Sequence, residues 1–335
     1  MLDPHYLQRI AEGAEEIASS LHEYIIRRII ERVMIRIGRG EEYLFTSADR
    51  WQIEIMQDSG TLLEDIIPEI AKYTKRERKE IKAAMEEAGI KAVEQDDKIY
   101  EAAGLSPMPL LESPQLIRLM QRNYDATLGE WDNYTRTTAD AAQRLFINSC
   151  DTAYHKVTSG AVSYTQAIRE AVDEVVSGGV YVSYTDEETG RVHKDTIETA
   201  TARAVRTGVG QATGAISLER MKEMEWDIIL VSAHLGARTG DGGENPGNHM
   251  WWQGKFYSRS GRDKRFPPFS VTGYGSGEGL CGWNCRHSFG SGDGENNPYT
   301  DIETEESERI EKLEQRQRML ERRIRKTKRI VSGMQ

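Results

Sequence analysis

Residues 231–238 read V-S-A-H-L-G-A-R, residues 248–258 read N-H-M-W-W-Q-G-K-F-Y-S, and residues 273–287 read G-Y-G-S-G-E-G-L-C-G-W-N-C-R-H. These three stretches gather Gly, His, Trp, Arg and Cys into a segment with little apolar periodicity. Because regularly spaced apolar side chains build an ordinary core, this segment needs another source of order. We expect a dense hydrogen-bond network, a metal ion or a partner surface to supply it.

The chain before this segment has the periodicity of helices. Apolar residues of 5–37 recur every three or four positions, which predicts one long amphipathic helix ended by Gly38. Its apolar stripe must meet another helix of this chain or a second chain. Local signals predict further helix boundaries: capping boxes at Thr61 with Glu64 and at Thr74 with Glu77, a kink or restart at Pro68 and an end at Gly89.

Two more helical stretches follow a linker. The prolines of 103–113 forbid a continuous helix over those residues. Ser113 and Pro114 are an N-cap and a first-turn proline, which predict the start of a very long helix or of a pair of helices. Ser163 predicts another helix start, and the Gly178–Gly179 pair predicts its end.

The periodicity changes near residue 180. Alternating residues on both sides of a turn at 185–190 predict a β-hairpin. Asp195 with Glu198 predicts a capped helix that runs to about 222, and residues 226–232 predict a buried strand that leads into the motifs. Thr300 with Glu303 predicts a last helix to about 330, with an apolar stripe at Ile310, Leu313, Leu320 and Ile324.

These patterns predict an α+β fold. It consists of a mainly helical N-terminal region with long amphipathic helices, a small loop-rich α+β C-terminal domain and a C-terminal helix. The predicted segments are a helical N-terminal region at 1–112, a long-helix region at 113–179, an α+β motif domain at 180–299 and a charged amphipathic helix at 300–335.

Composition argues against several classes of protein. A formal net charge of −10 argues against coating of nucleic acid by the whole surface. No run of 18 apolar residues is present, so we expect no membrane span, and the charged start M-L-D-P-H-Y-L-Q-R-I is unlike a signal peptide. The three cysteines are too few for a disulfide framework and indicate a reducing cytoplasm at synthesis.

The motifs also resemble those of a known family. A-H-x-G-A-R at 233–238, W-Q-G-K at 252–255 with Tyr257 and Ser258, Gly273-Tyr274-Gly275 and G-W-N-C-R-H at 282–287 are similar, in order and spacing, to the phage minor capsid protein 2 family of tailed phages of Gram-positive bacteria. The resemblance covers about 195–300. A more distant likeness is to the head-morphogenesis proteins of Mu-type phages.

The resemblance implies a structural minor capsid protein of the virion head, located near the portal vertex and present in the host cytoplasm during assembly. Its implied partners are the portal protein and other phage head proteins, its implied role is in head assembly or DNA packaging, and no catalytic activity is implied. The alternative function is a metal- or thiol-dependent hydrolase or nuclease carried in the virion. The motif residues with an implied structural role are His234, Gly236, Arg238, Trp252, Gln253, Gly254, Lys255, Tyr274, Trp283, Asn284, Cys285, Arg286 and His287.

The His and Cys residues of the motifs leave three chemical interpretations open. His234, His249, Cys285 and His287 form a donor set that suits tetrahedral Zn²⁺, although the C-x-x-C spacing of many zinc sites is missing. Hydrogen bonds between loops are the competing interpretation, and no cofactor is then needed. Cys285 beside a His is also a weak candidate for a thiolate nucleophile. In every case we expect the nearby aromatic residues to form a compact core. We also expect six motif residues to converge in one cluster: His234, Arg238, Trp252, Asn284, Arg286 and His287.

A basic stretch ends the predicted last helix. Positive side chains there could contact packaged DNA without reading its bases, contact a partner protein, or only keep the helix tip in solvent. The candidate DNA-contacting residues are Arg322, Arg323, Arg325, Lys326, Lys328 and Arg329.

Overall fold

A computed structural model describes residues 1–185, 190–300 and 302–334 and confirms the predicted mainly helical α+β fold. The α-helices are α1 (Pro4–Arg9), α2 (Glu12–Ile37), α3 (Glu41–Leu44), α4 (Ala48–Ala102), α5 (Pro114–Thr158), α6 (Tyr164–Gly178), α7 (Ile197–Glu223), α8 (His249–Trp252) and α9 (Thr304–Met334). The strands are β1 (Tyr181–Thr185), β2 (Val192–Thr196), β3 (Ile228–Val231), β4 (Phe256–Ser258) and β5 (Phe289–Ser291). Among the described residues, no helix is long and apolar enough to cross a membrane.

The chain divides into two compact units. Unit 1 comprises Met1–Ala14, Arg78–Gly129 and Ala202–Arg318, and unit 2 comprises Glu15–Glu77, Glu130–Thr201 and Met319–Gln335. Each unit therefore combines segments that are distant in sequence. The four consecutive segments inferred from the sequence stay a prediction.

The predicted helix over 5–37 is two helices, so the prediction of one continuous helix was wrong. α1 ends at Arg9, the N–H of the C-cap residue Ile10 donates to the carbonyl of Tyr6 over 3.0 Å, and α2 begins at Glu12. Gly13, a poor helix former, lies in the first turn of α2 and weakens helix continuity there. The apolar stripe is buried within this chain, at Leu7, Ala14, Ile17, Leu21, Ile25, Ile29 and Val33.

A single 55-residue helix, α4, replaces the several helices predicted from capping signals. The Thr61 hydroxyl donates to the carbonyl of Gln57 over 3.2 Å, so it bonds inside the helix and does not cap a helix start. A row of buried side chains continues through this position, so packing along the helix overrides the local capping signals. The row consists of Trp51, Ile55, Leu62, Ile66 and Ile70. Pro68 lies on the exposed side, where water can bind the carbonyl that its missing N–H leaves free.

Gly89 does not end a helix either. It lies inside α4, and a Cβ at this position would come within 3.3 Å of the Met120 sulfur and 3.4 Å of Ile216 Cδ1. The glycine therefore serves close packing of helices within unit 1.

The predicted boundaries of the next two helices are confirmed. The Ser113 hydroxyl accepts from the N–H of Leu116 over 3.3 Å, and α5 then runs as one helix of 45 residues. The Ser163 hydroxyl accepts from the N–H of Gln166 over 3.3 Å at the start of α6. Gly179, with φ of 70°, closes that helix in the left-handed region that glycine tolerates.

The predicted hairpin is also present, with β1 and β2 antiparallel and Tyr181 paired with Thr196. Its turn at 186–189 lies outside the described residues. Two helix starts differ from the prediction. Asp195 pairs with Val182 in the hairpin, and Thr196 caps α7 by accepting from the N–H of Thr199 over 3.3 Å. α9 begins at Thr304, four positions after the predicted start at Thr300.

The buried carboxylate of Glu198 is stabilised by a polar network within unit 2. The Val180 N–H donates to His22 Nε2 over 3.0 Å, so His22 must donate from Nδ1, which lies 3.1 Å from a Glu198 carboxylate oxygen. Arg329 Nη1 lies 3.6 Å from the same oxygen. His22 and Arg329 hold the pKa of Glu198 at about 2 despite its burial. The network joins α2, α7 and the end of α9.

Glu77 is a second buried carboxyl of unit 2. It is fully buried and accepts from the indole N–H of Trp131 over 2.8 Å. Burial raises its pKa from the usual 4.5 to about 7, because water no longer solvates the charged form. Between these two values the folded protein binds more protons at this site than the unfolded chain, so its contribution to stability falls as pH rises from 4.5 to 7.

We predict that Glu77→Gln stabilises the protein at pH 8 by about 1–3 kcal/mol and has little effect at pH 5. The neutral amide avoids the cost of a buried charge and still accepts from Trp131. Urea unfolding of the full chain at both pH values measures the difference. Glu94→Gln, at an exposed site on the same helix, is the control. An equal effect of Glu77→Gln at pH 5 and pH 8 would contradict the prediction.

Candidate functional site

The topology of a three-stranded sheet in unit 1 brings the motifs together. β3 is the central strand, with β4 and β5 antiparallel on either side of it. Residues that follow β3 must therefore lie beside residues that precede β4 and β5. The hydrogen bonds continue this register, since the Ser232 N–H donates to the Ser288 carbonyl over 2.9 Å and the Gly254 N–H donates to the Ser232 carbonyl over 3.3 Å.

His234, Gln253 and His287 meet at this end of the sheet, as expected from the sequence. The His234 N–H donates to Gln253 Oε1 over 3.1 Å, which identifies that atom as an acceptor. His287 Nε2 lies 2.8 Å from the same oxygen and must carry a proton that it donates. The rings of His234 and His287 stack with centroids 4.4 Å apart. Gln253 therefore fixes the tautomer of His287.

Cys285 lies between two imidazoles. Its Sγ is 3.7 Å from His287 Nδ1 and 3.9 Å from His249 Nδ1. Because Nε2 carries the proton of His287, its Nδ1 has a free lone pair and accepts from the thiol. In the described chain, His249, Cys285 and His287 form a group whose possible metal-ligating atoms all lie within 4.8 Å of one another.

His249 begins the short helix α8 and contacts Arg238. The Arg238 Nε and Nη2 atoms lie 2.9 and 2.7 Å from His249 Nε2. Arg238 Nη2 also donates to the Glu278 carbonyl over 2.8 Å, and that oxygen lies 2.8 Å from His249 Nε2. With Arg238 as the donor, Nε2 accepts and the proton of His249 resides on Nδ1, facing Cys285.

The imidazoles and the thiol of the cluster are uncharged at pH 7. Burial lowers the pKa of His249 to about 3 and that of His234 to about 4. Burial also lowers the pKa of His287 well below its usual range and raises the pKa of the Cys285 thiol. The three imidazoles are therefore uncharged and Cys285 is a thiol, so the contacts are hydrogen bonds between neutral groups and not ion pairs.

Burial also bears on the thiolate interpretation. A nucleophilic cysteine is an accessible group whose pKa is lowered by its surroundings. Cys285 is buried with a raised pKa, which disfavours attack on a substrate. The other two cysteines, Cys150 and Cys281, are also buried and unpaired by disulfides.

An apolar core surrounds the polar cluster and includes Trp252 and Tyr257 of the aromatic residues expected there, whereas Trp283 is exposed. Trp252 is fully buried and its ring meets the rings of His249 and His287 with centroids 4.4 and 4.8 Å away. The buried members of this core are Met221, Ile229, Val231, Trp252, Tyr257, Phe269, Leu280, Cys281, Cys285 and Phe289. Tyr274 packs against this core, and its ring centroid lies 5.0 Å from that of Phe289.

Arg286 and Gly236 attach the first turns of α9 to the motif loops. Arg286 makes two bonds to the Glu314 carboxylate, of 2.9 and 2.7 Å, and a third of 3.3 Å to the Gly236 carbonyl. The Gly236 N–H donates to the Ser307 hydroxyl over 3.1 Å. A Cβ at Gly236 would lie 3.0 Å from Ile310 Cγ2, so glycine permits this close approach.

Three motif residues are exposed and lie outside the cluster, and of these only Asn284 was among the residues expected to converge. Trp283 is 59% exposed, and Asn284 is exposed with φ of 55°, so Asn284 provides a turn of the backbone and not a cross-link. Lys255 is exposed and donates to the Trp251 carbonyl. Gly254, with φ of 63°, provides the turn before β4.

The sequence interpretation missed the glycines of α7. A Cβ at Gly214 would lie 2.9 Å from ring atoms of Phe289 and Tyr274, and one at Gly210 would lie 3.5 Å from Cys281 Cβ. These glycines let the motif loops approach the helix backbone. Each glycine in a helix interior lowers helix stability by about 1 kcal/mol relative to alanine. Three glycines in one helix therefore indicate that another segment packs closely against it, and this pattern could be read from the sequence T-G-V-G-Q-A-T-G at 207–214.

The basic stretch of α9 divides into two groups. Arg325 pairs with Glu15 over 2.6 Å, and Arg329 is buried beside Glu198, so both are held in contacts within unit 2. The exposed members are Arg322, Arg323, Lys326 and Lys328.

Comparison with known proteins agrees with the motif resemblance. The family model described as phage minor capsid protein 2 matches residues 2–335. No curated protein and no solved structure matches the chain.

We predict that Trp252→Ala lowers the free energy of unfolding by about 3–5 kcal/mol, because it empties a fully buried site between two imidazoles. Trp283→Ala is the matched control from the same motif set, and we expect it to cost less than about 1 kcal/mol because its ring is exposed. Urea unfolding of both variants measures the difference. Equal losses would mean that the two rings are equally buried in solution, contrary to this structure.

Proposed function

The chain belongs to the phage minor capsid protein 2 family, and we propose that it is a structural head protein that binds at the portal vertex through helix α9. Membership of a capsid family implies that other phage head proteins are its partners. The portal as the specific partner, a role in head assembly or DNA packaging and the use of α9 are the proposal.

The observation that carries the proposal is the exposed apolar stripe of α9. Leu320, Ile324 and Val331 are 45%, 55% and 52% exposed, whereas the stripe of 5–37 is buried within this chain. Of the two terminal stripes considered from the sequence, α9 is thus the one that is open to a partner. Single exposed apolar residues are common, but a spaced row along one helix is typical of an interaction face.

The spacing of the apolar residues in α9 indicates that the partner contributes a helix. In sequence, Ile310, Ile324 and Val331 fit heptad position a, and Leu313 and Leu320 fit position d. This arrangement, with β-branched residues at a and leucine at d, favours packing against a second helix. Gln317 and Thr327 occupy the remaining a and d positions, and such polar residues limit the possible registers.

We predict that Leu320→Gln combined with Ile324→Gln leaves the protein folded and lowers its incorporation into phage heads at least tenfold. Both side chains are half exposed, so the loss of packing within the chain is small. Quantitative immunoblots of purified mature particles measure incorporation, and circular dichroism checks the fold.

The matched control replaces two exposed apolar residues of α4, Ile53→Gln with Met56→Gln, which should not change incorporation. Capture of portal protein by wild-type chain, and its loss in the α9 variant only, identifies the partner. Normal incorporation of the α9 variant would refute the proposed surface. Capture of other head proteins without the portal would refute the portal assignment alone.

A second candidate function for the same helix is contact with packaged DNA. It is supported by four exposed cations near the end of α9, whose phosphate contacts would release counterions. No groove-reading motif accompanies them, so binding would be independent of base sequence.

We predict that Arg322→Gln with Lys326→Gln weakens binding of the full chain to duplex DNA at low salt. The dependence of log affinity on log salt should become shallower by about 2, since each lost phosphate contact reduces the steepness of the slope by about 0.9. Arg262→Gln with Lys264→Gln, at exposed sites outside α9, is the control with the same charge change. Negligible binding of the wild-type chain, or equal effects of the two double variants, would rule out this candidate.

A further inference from the structure

We propose that His249, Cys285 and His287 bind one Zn²⁺ ion. The three residues are buried, and their ligand atoms lie within 4.8 Å of one another. One thiolate and two imidazoles are ligands that zinc prefers. The inference concerns the interior of unit 1 and is independent of the proposed function of α9.

The separations of the ligand atoms are close to those of a zinc centre. Zinc bonds of about 2.3 Å to sulfur and about 2.0–2.1 Å to nitrogen, at a tetrahedral angle, place sulfur and nitrogen about 3.5 Å apart. The observed distances from Cys285 Sγ are 3.7 Å to His287 Nδ1 and 3.9 Å to His249 Nδ1. Both are a few tenths of an ångström longer than in a zinc centre. The two imidazole nitrogens, which lie within 4.8 Å of each other, must also move to about 3.3 Å apart when the ion binds.

The groups behind the imidazoles also match a metal centre. Both Nδ1 atoms face the sulfur, and both Nε2 atoms lie 2.8 Å from an amide carbonyl oxygen, that of the Glu278 backbone for His249 and that of the Gln253 side chain for His287. Metal-ligating histidines usually donate their second N–H to a carbonyl or carboxylate, which orients the ring. Gln253 is itself oriented by the N–H of His234.

Zinc binding has a defined proton balance. Cys285 loses its thiol proton to solvent as the sulfur–zinc bond forms, so the affinity falls as pH is lowered. His249 keeps one proton, which moves from Nδ1 to Nε2 and is donated to the Glu278 carbonyl, so Arg238 must turn away from Nε2 and give up its two bonds to that atom. Arg238 then retains its own bond to that carbonyl, and its charge, with that of Arg286, favours the thiolate.

The set of ligands is smaller than the four residues considered from the sequence. His234 Nδ1 lies 2.7 Å from the Leu235 carbonyl and its ring is stacked on His287, so it supports a ligand and does not complete the set. Water takes the fourth tetrahedral position. The ion would join α8 to the loop before β5, two segments that few backbone hydrogen bonds connect.

The test measures metal in the full-length protein after equilibration with a zinc-buffered series and removal of excess metal. We expect about one zinc per chain by mass spectrometry, and a thermal midpoint that a chelator lowers by several degrees. Substitution with Co²⁺ should give a thiolate-to-cobalt charge-transfer band. This band tests the ligand set in the wild-type protein and does not depend on whether any variant folds.

Variants then locate the ion. Cys285→Ser, His249→Asn and His287→Asn should each reduce zinc to less than about a tenth per chain, whereas Cys281→Ser and Cys150→Ser, at the other two buried cysteines, should retain it. Gln253→Leu should weaken zinc binding about 10- to 100-fold, since it removes the acceptor behind His287.

Three results would overturn the proposal: wild-type protein with less than about a tenth of a zinc per chain, a cobalt complex without the charge-transfer band, or full zinc content in folded Cys285→Ser.

Discussion

The position of β3 at the centre of the small sheet is the constraint on which the motif region depends. Because β4 and β5 are both antiparallel to it, the chain must bring the residues after β3 beside those before β4 and β5. Ser232 and Ser288, 56 positions apart, are directly bonded for this reason. The three motifs are separated in sequence because each belongs to a different strand, and they meet because the strands share one end.

The strands of this sheet are only three or four residues long, so the sheet depends on the segments that pack against it. One face of the motif loops packs on α7, where glycines allow aromatic rings to reach the backbone. Arg286 and Gly236 hold α9 through Glu314 and Ser307. The interior adds neutral hydrogen bonds among His, Cys and Gln, which avoid the cost of buried charge. Polar residues within this core thus give it a specific arrangement that the few apolar residues could not fix alone.

The sequence predicted the fold class, the linker before α5 and the hairpin. It failed where a local signal competed with a longer pattern. Thr61 with Glu64 has the spacing of a capping box, but the buried row from Trp51 to Ile70 runs through it and keeps α4 continuous. It also could not separate Trp252 from Trp283, because the direction of each ring depends on the turn at Asn284 and on packing against distant segments. The partners Glu314 and Gly214 were missed for the same reason, since contacts across more than 20 positions leave no local trace.

The motif cluster and the α9 residues differ in their exposure to solvent, and this difference separates the expected effects of changing them. The imidazoles of the motif cluster are neutral, and its members are buried or half-buried, so a change there acts first on folding. Leu313, Leu320 and Ile324 of the apolar stripe and four of the six basic residues of α9 are exposed, so we expect a change there to act on association while the chain stays folded. The remaining two, Arg325 and Arg329, fix one side of the helix to unit 2. Glu314 forms its ion pair within unit 1, whereas Arg325 and Arg329 form theirs within unit 2. These contacts leave the apolar stripe exposed, and it is the surface that we propose for binding other proteins of the head.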